Sequence, residues 1–154
     1  PVGRRSADPH EEATMLSDHT ATPCLAVRDL ARARRFYEDT LGFTEQELPG
    51  FGDDDEMGVF YGTKNGGLLV YPSSFAGGTN KATSVSFQVD DGGAFDQEVA
   101  TLRGHGVEFQ TFEIPSGGTW DDGVLTDGPM RSVWFADPDG NILNLEAVRQ
   151  TAMA

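Results

Sequence analysis

Thr22-Pro-Cys-Leu-Ala-Val-Arg-Asp29 and Ser84-Val-Ser-Phe-Gln-Val-Asp-Asp91 carry one pattern twice, 62 residues apart. Each opens with small or polar residues alternating with apolar ones, the period-two signature of a half-buried strand. Each closes on an aspartate where the N-cap of a helix belongs. After Asp29, Leu30, Ala33, Phe36, Tyr37 and Leu41 fall at helical spacing, and Gly42 stops the run. After Asp91, Phe95, Val99 and Leu102 repeat that spacing as far as residues 104–106.

Strand-like runs follow each helix. In the first half they lie at 43–48, 57–61 and 68–71, the last two joined by the hairpin signal Thr63-Lys-Asn-Gly-Gly67. In the second half a strand starts near Val107, and a hairpin runs from Ser132 through Asp137-Pro-Asp-Gly140 to Glu146. The offset between halves grows to 74 at the closing hairpin, pairing Gly66 with Gly140 and Val70 with Asn144. Residues 110–130 absorb the difference of 12 (74 − 62) and read as a glycine-rich loop. A duplicated strand–helix–three-strand unit cannot bury its sheet face alone. The expected fold is therefore α+β, with two βαβββ modules related by a pseudo-two-fold. Residues 1–20 read as a flexible tail or an expression remnant, holding His10 and His19. Residues 21–148 form one domain with modules at about 21–76 and 82–148, and 149–154 a C-terminal tail.

The 154 residues, 38% of them hydrophobic, suffice for one domain with a real core. Eleven basic against 25 acidic residues give a net charge of −14. Residues 1–35 hold six basic and five acidic residues, so the remainder carries −15. Such a body repels phosphate backbones and anionic lipid, which argues against nucleic acid and membrane as partners. Cys24 is the single cysteine, so there is no intramolecular disulfide and no CxxC site. No apolar run reaches the ~18–20 residues of a membrane span, and a cytoplasmic location is expected.

Three runs together resemble a known family: Val27-Arg-Asp-Leu30 through Phe36-Tyr37 to Leu41-Gly42-Phe43, then Phe87-Gln-Val-Asp-Asp91, then Asp137-Pro-Asp-Gly-Asn-Ile-Leu-Asn-Leu-Glu146. They are similar to the vicinal oxygen chelate superfamily of glyoxalases, bleomycin-resistance proteins and extradiol dioxygenases. The resemblance implies mixed sheets curled into a cup and, in the family's enzymes, a divalent metal held by His, Gln or Glu. Its ligands come from the first and last strands of each module. Carried over, those positions are Thr22, Ser84, Val70 and Asn144. Hydroxyls and an amide are weak ligands, and valine is none. No metal and no cofactor are expected.

Alternation puts Thr22, Cys24 and Ala26 on one face of the first strand and Ser84, Ser86 and Gln88 on the matching face of the second half. Leu68, Val70, Ile142 and Asn144 are expected to join them, with Phe60 and its repeat mate Trp134 opposite. Such a pocket suits a flat or amphipathic small molecule. Trp120, in Pro115-Ser-Gly-Gly-Thr-Trp-Asp-Asp122, is a candidate lid or dimer contact. The expected ligand-binding residues are thus Thr22, Cys24, Phe60, Val70, Ser84, Ser86, Trp120, Trp134 and Asn144. Pro49-Gly-Phe-Gly-Asp-Asp-Asp-Glu56 could form a cation-attracting rim, a solvated loop being the plainer alternative. Cys24 lacks a sequence neighbour that would activate it as a nucleophile.

The leading reading is a metal-independent small-molecule binder of the sequestering or resistance type, forming a homodimer. One alternative is a lyase, isomerase or dioxygenase-like enzyme whose metal or base comes from Glu146, Gln46, Glu47 or Glu113. Another is an interaction module with a closed cup.

Overall fold

In both halves the first strand lies parallel to the last, and the helix between them makes the crossover that a parallel pair requires. The computed structural model describes residues 15–18, 20–47, 57–78, 80–90, 93–115 and 117–149. The expected tail up to residue 14, His19, the acidic loop 49–56 and Asp91 lie outside them. The first module contains β1 (Cys24–Val27), α1 (Leu30–Arg34), β2 (Glu45–Gln46), β3 (Val59–Thr63) and β4 (Gly66–Pro72), in the sheet order β1-β4-β3-β2. The second contains β5 (Thr83–Gln88), α2 (Ala94–Gly104), β6 (Thr119–Asp121), β7 (Val124–Asp127), β8 (Met130–Ala136) and β9 (Ile142–Val148), in the order β5-β9-β8-β7-β6. This is the expected α+β pair of modules, except that no strand forms near Val107 and four strands, not three, follow the second helix. Neither sheet closes on itself.

Local chemistry sets the helix ends. The Asp29 carboxylate accepts the Arg32 backbone N–H at 3.1 Å, capping α1. The helix runs on into a π-helical turn, Arg35–Thr40, and Gly42 at φ +80° ends it. In the second module the cap differs from the repeat's expectation. α2 starts at Ala94 behind Gly93, whose φ of +96° favours glycine.

The segment 110–130 holds the larger departure. Instead of a loop it contains the β6–β7 hairpin, with Trp120 opposite Leu125 and Asp121 opposite Val124. Asp122 and Gly123 form the two-residue turn at φ +49° and +81°, the positive angles such a hairpin needs. β7 then pairs with β8 and extends the sheet to five strands.

Both sheets turn one face toward the helices and share one core. Leu25, Val27, Tyr61 and Val70 of the first module join Phe95, Val133, Phe135 and Leu143 of the second, all buried. Phe43 meets Phe87 across the junction at 5.7 Å between ring centroids. The polar part of the junction centres on Asp137, which is 5% exposed. Its Oδ1 accepts the backbone N–H groups of Asp139 and Asn141, both at 2.9 Å. Its Oδ2 accepts the Tyr37 hydroxyl and the Asn141 side-chain amide, both at 2.8 Å. Asn141 also donates to the Ala26 carbonyl at 2.9 Å, and Asp139 accepts from the Arg28 backbone and the Arg32 guanidinium, each at 3.0 Å.

Tyr37 and Tyr61 stack at 5.7 Å and are both fully buried, yet only Tyr37 has a hydroxyl partner. Tyr37→Phe should therefore cost about 2 kcal/mol in urea unfolding, the loss of a buried hydrogen bond to a charged acceptor. Tyr61→Phe removes an unpaired hydroxyl and should be neutral or stabilising. Burial, then the Asp137 charge and hydrogen bond, push the Tyr37 phenol above its ordinary range; burial, then the Glu38 charge, does the same for Tyr61. A raised phenol pKa means stability that is complete below the free value near 10 and is lost as pH rises above it. Stability should fall there by about 1.4 kcal/mol per pH unit for each of the two tyrosines. Tyr37→Phe should halve that slope; an unchanged slope would contradict this assignment.

Candidate functional site

Paired residues of neighbouring strands share a face, so the strand registers decide which side chains line the surface turned away from the helices. In the first sheet Cys24, Leu69, Phe60 and Gln46 stand in one such row. Val70 pairs instead with Leu25 and Val59, and all three are buried on the helix side. Val70 therefore does not face the expected cavity, nor does Leu68. Leu69 holds that place. The cause is a loop length: two residues separate Thr63 from its partner Gly66, whereas the second hairpin carries one more between Asp137 and Asn141. The offset is accordingly 75 on the last strand, one beyond the 74 that pairs Phe60 with Trp134. Thr22 lies ahead of β1, exposed, its carbonyl accepting from the exposed Cys24 thiol at 3.4 Å. The Phe60 ring reaches over Gly67, and the Gln46 amide over Gly62, each filling the space a Cβ would take.

The second sheet's open face is built differently. Ser86, Asn144 and Trp134 form one row, as expected, and Gln88, Glu146, Ser132, Leu125 and Trp120 form the next. Ser84 is the extra residue of a bulge, exposed, and Thr83 pairs with Ile142 in its stead. Asn144 is 3% exposed and bonded at both polar atoms: Ser86 donates to its Oδ1 at 2.6 Å, and its Nδ2 donates to the Val133 carbonyl at 3.1 Å. The Gln88 amide donates to Glu146 at 3.1 Å.

Beside this row stand three aromatic rings. Phe112 meets Trp134 edge-on at 4.9 Å and Trp120 at 5.5 Å, and the two indoles are 6.0 Å apart. The Trp120 N–H donates to the Phe112 carbonyl and the Trp134 N–H to the Thr83 hydroxyl, each at 3.1 Å. Trp120 thus stands on β6 with its N–H bonded within the protein. Next to the rings opens a cavity of about 750 Å3 bordered by Lys81, Thr83, Gln110, Thr111, Phe112 and Trp134 among others. Phe112, Thr83 and Lys81 escaped the sequence reading. The bulge displaces Thr83, and Phe112 belongs to no regular strand.

The sequence profile of the Glyoxalase/Bleomycin resistance protein/Dioxygenase superfamily matches residues 16–145. The chain belongs to this superfamily. Solved structures with the same fold include a glyoxalase/bleomycin resistance protein/dioxygenase from Alicyclobacillus acidocaldarius, 14% identical, with a TM-score of 0.62 over 86% of this chain and 93% of that one. A glyoxalase/dioxygenase from Nostoc punctiforme is 19% identical, with a TM-score of 0.59 over 82% and 88%. The fosfomycin resistance protein FosX from Listeria monocytogenes is 16% identical, with a TM-score of 0.58 over 88% and 94%. A comparison with curated proteins finds no match.

The positions that the superfamily resemblance marks for a metal hold weak ligands or none: Leu69 at the open-face place of the first sheet, the Asn144 amide already bonded to Ser86 and Val133, and the exposed hydroxyls of Thr22 and Ser84. Glu146 is the one carboxylate in these rows, and among the described residues no three His, Cys, Asp or Glu converge. Glu47 and Glu113 lie outside the strands, and Gln46 stands in the first sheet's row. Asn144 is a structural residue on this geometry. Asn144→Ala should destabilise the fold by about 1–3 kcal/mol in urea unfolding, because the side-chain bonds to the Val133 carbonyl and from the Ser86 hydroxyl are both lost. An unchanged midpoint would return Asn144 to the list of free polar groups.

Proposed function

We propose that this glyoxalase-superfamily chain binds a flat or amphipathic small molecule on the open face of its second sheet, without a metal, as a sequestering or resistance-type protein in the cytoplasm. The observation that carries this reading is the aromatic corner of Phe112, Trp120 and Trp134. Its indole N–H groups are spent on the protein, which leaves apolar ring surface for a ligand. The adjoining cavity of about 750 Å3 is of the size drug-like ligands occupy. The resistance role of FosX supports the resistance-type half of the proposal by likeness of fold alone.

Tryptophan fluorescence tests it directly. A fused-ring compound such as 2-naphthamide should quench the indoles saturably, and prior dialysis against chelator should leave the dissociation constant unchanged. Trp120→Ala or Phe112→Ala should weaken binding by about 1–3 kcal/mol, the usual loss for an aromatic anchor. Loss of binding after chelation, restored by a divalent metal, would favour the second reading, a metal-dependent lyase, isomerase or dioxygenase. Glu146 is the observation behind that reading, and Glu146→Gln would then abolish turnover.

The first sheet's open face contributes apolar side chains, Phe60, Leu69 and Tyr71, that the chain itself covers only in part. A homodimer that packs this face is the corresponding proposal. Sedimentation should show a dimer at micromolar concentration, and a monomer there would exclude it.

A further inference from the structure

We infer that the ligand of the aromatic cavity is an anionic arene, a planar ring system carrying a carboxylate or an equivalent acid, with Lys81 as its charge partner. The inference rests on the reading of this face as the small-molecule site. It concerns the charge of the ligand, which that reading leaves open.

Composition makes the cavity unusual. The chain has 25 acidic residues against 11 basic ones, and only two of the latter are lysines, Lys64 and Lys81. Among the described residues Lys81 is the one charged side chain on the cavity wall, which includes no described aspartate or glutamate. A pocket formed at random on this surface would hold carboxylates. Lys81 is exposed and forms no ion pair among the described residues, so its ammonium is available. Lys64 borders a different cavity, of about 500 Å3 at the module junction, together with Glu98. That site has both signs of charge. The aromatic cavity has one.

The remaining wall fits the same class. Phe112 is 47% exposed although it touches both indoles, so ring surface is left for a flat partner to cover. Gln110 and Thr111 supply neutral donors on the wall of the same cavity that can share a carboxylate. A cationic arene would meet the ammonium with no counter-charge on the wall, and a neutral one would forgo the charge-assisted bond.

Three isosteric probes separate these cases: 2-naphthoate, 2-naphthamide and 2-naphthamidine, titrated calorimetrically into the full chain at pH 7. The parent should bind naphthoate about five- to tenfold more tightly than naphthamide, the range of a partly solvated charged pair. Naphthamidine should bind most weakly. Lys81→Met should bring naphthoate and naphthamide within about twofold of each other, and Lys81→Arg should keep the preference. Lys64→Met changes the net charge equally at the other cavity and should alter nothing. Phe112→Ala should weaken naphthoate and naphthamide alike. If the parent binds the amide or amidine as well as the acid, or Lys81→Met retains the preference, the inference fails while the proposed function stands on the Phe112→Ala result. If none of the three binds, or Phe112→Ala changes no affinity, the reading of the face itself fails and the inference falls with it.

Discussion

The Asp137 carboxylate holds the two halves of the chain together, and the rest of the architecture depends on it. An ionised carboxylate buried to this degree is costly unless each oxygen is compensated. Here four donors do so: two backbone N–H groups inside its own turn, the Asn141 amide, and the Tyr37 hydroxyl from the other module. Asn141 passes the connection on to the Ala26 carbonyl at the end of β1, and Asp139 ties the same turn to Arg28 and Arg32. The Asp-Pro-Asp-Gly-Asn turn therefore locks the last hairpin of one module onto the first strand and helix of the other. Because that lock lies on the helix side, the apolar faces of both sheets merge there into one core. The opposite faces are left for other uses.

Patterns that depend on local geometry could be read in the sequence. The strand alternation at Leu25 and Val27, the helix run through Ala33 and Tyr37, and the Asp29 cap all follow from short-range rules, and the duplication multiplied their weight. The row of Ser86, Asn144 and Trp134 followed from the same alternation. The errors came from single-residue insertions, to which a period of two is most sensitive. One extra residue in the second turn reversed the parity of Val70 and Leu69. One bulged residue exchanged Ser84 for Thr83. Asp122-Gly123 was a hairpin signal in plain view, but its position inside a glycine-rich stretch made the segment read as a loop. The cavity beside the rings was not legible at all, since Lys81, Phe112 and Trp134 meet only through strand order.

Duplicated modules begin with equivalent open faces, and in this chain the two have diverged in relief. In the first, glycines at 62 and 67 leave space beside the sheet that the Gln46 and Phe60 side chains fill. In the second, the β6–β7 hairpin widens the sheet and raises Trp120 beside Trp134, while the segment before it brings Phe112 between them. The indole N–H bonds then fix the rings without help from a ligand, so little ordering entropy remains to be lost on binding. The hairpin inserted into one copy thus accounts for the asymmetry: it gives one of two equivalent sheet faces an aromatic corner beside the cavity, with no counterpart among the described residues of the other.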